Sequence, residues 1–141
     1  MTSEFPHDAV VERWTRGLAT LERVAGSAAH DSIESLTKDA PELARLAVES
    51  FDALYGERAT EVLDLRTREL STVAALTALG NALPQLKVHI RAALRAGATR
   101  GQIVAIITQM HAYGGYPAAL NAFAECYGTQ YFPWSRLASA E

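Results

Sequence analysis

A second cysteine is missing from this sequence. Cys126 stands alone in 141 residues, so the chain can form no internal disulfide and no cysteine-based metal cluster. Long apolar runs are missing too. Hydrophobic residues make up 49% of the chain, yet no stretch approaches the roughly 18 residues that a membrane span needs. There is no basic excess: 13 Lys and Arg stand against 16 Asp and Glu, for a net charge of −3. The cations are scattered, which argues against nucleic acid as a main partner, since phosphate binding needs a basic face. The N-terminal MTSEFPHDAVVERW is acidic and amphipathic and lacks the basic and apolar regions of a signal peptide. The expectation is a soluble cytoplasmic protein with no membrane partner. No metal is expected either. His89 and His111 do not have the i, i+4 spacing of a zinc helix, and His7 and His30 have no acidic or histidine partners at such spacings.

Alternating strand patterns are also absent, while the Ala-rich composition with few Pro and Gly favours helices. Punctuation divides the chain. A first helix is predicted over His7 to Ala25, with Val10, Trp14, Leu18, Leu21 and Ala25 on one stripe. A short piece follows near Asp31 to Leu36, where Asp31 and Glu34 resemble a capping box. Pro41 suits the first turn of a helix whose buried face would be Leu43, Leu46, Ala47, Phe51 and Leu54, ending at Gly56. The next helix starts near Thr67, places Leu70, Val73, Ala74 and Thr77 together, and closes at Gly80.

Pro84 opens a helix carrying His89, with a stripe of Leu86, Ile90, Ala93 and Leu94 and a stop at Gly97. Thr99 and Gln102 form a capping box for a helix with Ile103, Ile106, Ile107 and Met110 on one face. Gly114 and Gly115 break it, for a tight turn or a close helix approach. Pro117 then starts a final helix through Leu120, Phe123 and Tyr127 to Gly128. The pattern implies one all-α domain, a helical bundle over 1–141, with N-terminal helices at 7–37, a core motif region at 40–128 and an aromatic tail at 129–141. Tyr131, Phe132 and Trp134 in that tail are expected to pack on this subunit or a neighbour, as aromatic side chains dominate such burial.

Five stretches together resemble the carboxymuconolactone decarboxylase family, which includes the alkyl hydroperoxidase D-like proteins. They are Leu65-Arg66-Thr67-Arg68-Glu69-Leu70, Ala78-Leu79-Gly80-Asn81, Pro84-Gln85-Leu86-Lys87-Val88-His89, Gly97-Ala98-Thr99, and Tyr113-Gly114-Gly115-Tyr116-Pro117-Ala118-Ala119. The resemblance implies an all-helical subunit that assembles into homo-oligomers, often trimers or hexamers. It also implies an interface pocket lined by the His-bearing helix.

The peroxidase branch of that family carries Cys-x-x-Cys, with a His four residues after the second Cys. Here those two positions are Ala82 and Gln85. That branch also has a Glu nineteen residues before the His; the corresponding residue is Leu70, with Glu69 one place away. Thiol peroxide reduction needs an attacking thiolate and normally a resolving partner, so the redox reading is rejected.

The decarboxylase branch needs no thiol and no cofactor, because the substrate itself accepts the electrons. Its enzymes must hold an anion, supply a proton and exclude water. The resemblance implies His89 as proton carrier, since histidine exchanges protons near neutral pH. It makes Arg66 and Arg68 candidates for gripping a carboxylate through paired hydrogen bonds, and Glu69 a candidate to orient an Arg or His. Gln85, His111, Tyr113 and Tyr116 complete the candidate substrate contacts. The Trp-Gly and Arg-Pro-Gly usual upstream in that branch are replaced by Leu54-Tyr55-Gly56-Glu57-Arg58-Ala59-Thr60-Glu61. The expected function is therefore cofactor-independent acid–base chemistry on a small anionic lactone or related carbonyl compound. The alternative is a non-catalytic ligand-binding or scaffold member.

Overall fold

A computed structural model describes residues 7–128. The aromatic tail residues Tyr131, Phe132 and Trp134 lie outside the described residues. Everything described is helix or short connection, with no strand among the described residues. No helix among them is long and apolar enough to cross a membrane. The helices gather into two compact units that divide between Leu65 and Arg66.

The first unit holds α1 (His7–Ala25), α2 (Ser27–Asp39), α3 (Pro41–Tyr55) and the short α4 (Glu57–Val62). Its core is Leu21, Ile33, Ala44 and Val48, with Trp14, Leu18, Ala47 and Phe51 packed around it. Gly17 explains why α1 and α3 sit so close. A Cβ there would fall 2.5 Å from Val48 Cγ1 and 2.7 Å from the Val48 carbonyl oxygen.

That close approach corrects the expected face of α3. Leu43, Leu46 and Leu54 are 57%, 53% and 51% exposed, while Ala44 and Val48 are fully buried and Tyr55 nearly so. Small side chains take the contact line because larger ones would hold the two helices apart. The Asp31–Glu34 capping box is also corrected. Helix α2 begins at Ser27, after Gly26 at φ 90°, and no side chain caps it. Asp31 lies inside the helix, which is uninterrupted by Pro or Gly and is held by Ile33 and Leu36 against the core. Gly56 ends α3 as expected, and it also starts α4, a helix of six residues that the apolar pattern does not predict.

The second unit holds α5 (Leu65–Leu79) from its second residue on, α6 (Leu83–Arg95), α7 (Arg100–Gly114) and α8 (Tyr116–Tyr127). Val73, Leu86, Ile90, Ala93, Ile103 and Ile107 form its centre, closed by Ala119 and Ala122 of α8. The expected stripe of α8, Leu120, Phe123 and Tyr127, is only half-buried; the two alanines occupy the contact line instead. The Thr99–Gln102 capping box is present in both directions, with the Gln102 amide donating to Thr99 Oγ1 at 3.1 Å and the Thr99 amide donating to Gln102 Oε1 at 2.9 Å. The two glycines after Tyr113 do different jobs. Gly114 lets the end of α7 rest on the backbone of Ala78 in α5. Gly115, at φ 88°, adopts the left-handed conformation that reverses the chain into α8.

Candidate active site

Helix α5 buries an acid where a hydrocarbon is expected. Its inward line is Glu69, Val73 and Thr77, spaced by four residues. Glu69 is 0% exposed. An unpaired charge at such a position would be strongly destabilising. The neighbouring helix supplies the partner: Nδ1 of His89 lies 2.8 Å from Glu69 Oε2. The His89 side chain keeps 13% exposure, so the pair joins a wholly enclosed carboxylate to an imidazole that still reaches the surface.

This contact fixes the imidazole. An ionised carboxylate accepts only, so Nδ1–H donates to Glu69. In the neutral ring Nε2 is then the basic nitrogen, and when Nε2 gains a proton the carboxylate stabilises the resulting cation. The second carboxylate oxygen, Oε1, is buried without a hydrogen-bond partner among the described residues. Leaving such an acceptor unsatisfied costs about 1–3 kcal/mol.

The other expected site residues fall into distinct places. Arg66 is exposed in the first turn of α5, and Arg68 is half-buried one residue before Glu69. Gln85 is exposed on α6, one turn ahead of His89 and on the same side of that helix. Tyr113 is exposed in the last turn of α7. His111 and Tyr116 share a cleft of about 360 Å³ at α7 and α8, and His89 is not among the residues lining it. The pairing of Glu69 with His89 was legible only as a possibility. The family spacing points to Leu70, but Glu69 is the residue that faces inward, twenty positions before His89.

Cys126 sits apart, in a small cleft with Ile90, Leu94, Arg100, Ile103 and Tyr127. Burial, and secondarily the charge of Glu125, push its thiol up to about 11 from an ordinary value near 9. It is therefore a protonated, weak nucleophile at neutral pH. Alkylation by iodoacetamide at pH 7.5 is expected to be at least about tenfold slower in the folded than in the unfolded chain, and to accelerate as pH rises towards 11. Equal rates would contradict this. The folded thiol keeps its proton where the unfolded one loses it. Its contribution to stability is thus complete below about pH 9 and lost as pH climbs through about 11. Among the described residues, no three His, Cys, Asp or Glu side chains gather into a metal-binding group.

The described residues are thus all helix and turn, with a buried carboxylate–imidazole pair between α5 and α6 and no thiol pair beside it. The chain belongs to the carboxymuconolactone decarboxylase family, whose model matches residues 41–125. It is also similar to an uncharacterized 15.0 kDa protein in the nqo9–nqo10 intergenic region of Paracoccus denitrificans, at 48% identity over 63 residues. That match covers 44% of this chain and 47% of the relative, so the chain spans about half the length of the curated protein it matches.

Proposed function

We propose that this protein is a cofactor-independent acid–base enzyme acting in the cytoplasm on a small anionic lactone or related carbonyl compound, with decarboxylation as the reaction. The observation that carries the reading is the 2.8 Å contact between His89 and the fully buried Glu69. In the reaction the bond from ring carbon to carboxylate breaks and carbon dioxide leaves. The electron pair moves into the conjugated lactone, and a proton is delivered to carbon. His89 is the proton donor in this scheme, and Glu69 holds its tautomer and balances the imidazolium charge. Arg66 or Arg68 grips the substrate anion, and Gln85 and Tyr113 contact the remainder. Membership of the family and the absence of a thiol at Ala82 and Gln85 support the assignment over peroxide reduction.

The test is turnover of lactone carboxylates in EDTA by the unmodified chain and by His89→Ala. Activity should persist in EDTA and fall at least tenfold in the variant. An unchanged rate in the variant would remove His89 from the mechanism.

The same reading includes a homo-oligomer, a trimer or hexamer. Leu43, Leu46 and Leu54 support it, because three large aliphatic side chains exposed on one helix suit burial against another subunit. Light scattering should give a mass well above the 15.2 kDa of one chain, reduced by Leu46→Asp. A monomer at all concentrations would contradict assembly.

A further inference from the structure

We propose that the cleft at α7 and α8 is a binding site for a small, uncharged, hydroxyl-bearing ring, with His111 accepting its hydrogen bond. The cleft measures about 360 Å³, within the range of small-molecule pockets. Its walls come from Ile107, Ala119, Leu120 and Phe123, and Tyr116 stands at the edge with its ring largely exposed. Flat aromatic and branched aliphatic walls of this kind suit an aromatic or conjugated ring. None of the lining residues is Lys, Arg, Asp or Glu, so the lining carries no permanent charge to pair with an ionised ligand. This separates the cleft from the anion chemistry assigned to Glu69 and His89, and the proposal does not depend on that assignment.

The polar end of the cleft has a fixed sense. His111 Nδ1 lies 2.7 Å from the carbonyl oxygen of Thr108. A carbonyl can only accept, so Nδ1 carries the proton and Nε2 of the neutral ring is left as an acceptor. The Thr108 hydroxyl already donates to the Val104 carbonyl at 2.8 Å. His111 Nε2 is therefore the imidazole acceptor that the cleft presents, and it calls for a donor on the ligand. A phenol or enol meets it; a bare hydrocarbon ring does not, and a carboxylate or phenolate presents only acceptors.

The probes are p-cresol and toluene, which share size and shape but differ in the hydroxyl. Each is titrated into the full chain, following the resonances of the Ile107 methyl groups and the His111 ring. Both ligands should shift Ile107, with p-cresol binding about fivefold tighter, as one neutral hydrogen bond provides. His111→Phe keeps a ring at an exposed position, so folding should persist, and should abolish the preference while retaining toluene binding. His89→Ala should leave p-cresol binding unchanged, which keeps this outcome distinct from any failure of the acid–base reading. Equal affinity for the two probes, or a preference that survives in His111→Phe, would overturn the proposal. So would Ile107 shifts that follow protein concentration without added probe, since those would place a second copy of the chain in the cleft.

Discussion

Glu69→Gln is expected to lower turnover by about 100-fold or more while leaving the fold intact. Glutamine matches glutamate in size, so the enclosed position on α5 stays filled. Its amide oxygen can still accept from His89 Nδ1, so the imidazole stays in place. What disappears is the negative charge that stabilises a protonated His89. The loss should therefore appear in kcat, with KM and the unfolding midpoint little changed. His89→Ala should cost a similar factor, and the double variant should be no slower than the worse single one, because two groups acting as one unit are not additive. If the pair only holds α5 to α6, the result is different. Stability would then fall in both variants, and turnover would follow the folded fraction.

The largest loss of stability is expected from adding one methyl group where α7 meets α5. A Cβ at Gly114 would lie 2.6 Å from the Cα of Ala78 and 2.7 Å from its carbonyl oxygen. Both neighbours are backbone, so no side chain can swing aside, and the helices themselves must move. Gly114→Ala should cost about 3 kcal/mol by denaturant titration, at the upper end for an overpacked contact. Gly101→Ala is the control on the same helix. A Cβ there would approach Thr99 Oγ1 only to 3.8 Å, and the change should cost nothing because alanine is the better helix former. Equal effects at both positions would mean that helix propensity, not the contact with Ala78, sets the cost.

Much of the helical plan follows from punctuation visible in the sequence. Pro41, Pro84 and Pro117 each lie in the first turn of a helix, and the Thr99–Gln102 box forms as its residue types suggest. These signals are local, so the chain displays them before it folds. The buried faces were less legible. On α3 the apolar pattern offers two candidate lines, and only the close approach at Gly17 selects Ala44 and Val48 over Leu43 and Leu46. That selection is made by the partner helix, not by the pattern itself.

The candidate site divides in the same way. His89 stands out by residue type and family spacing, but the role of Glu69 depends on the phase of α5. The burial of Val73 and Thr77 places Glu69 inward and leaves Leu70 beside it only half-buried. A glutamate in register with two buried residues, one and two turns on, was the available signal. The acceptor state of His111 could not be read from sequence at all, because it depends on a main-chain carbonyl reached only once α7 forms.

The most direct measurement is the single-turnover rate of lactone carboxylates in EDTA for the unmodified chain, Glu69→Gln and His89→Ala, at matched folded concentration. A proton-transfer pair requires turnover by the unmodified chain and a fall of about 100-fold or more in both variants. Turnover unchanged in the variants, or absent from the unmodified chain across the series, would contradict that account and favour a non-catalytic member of the family.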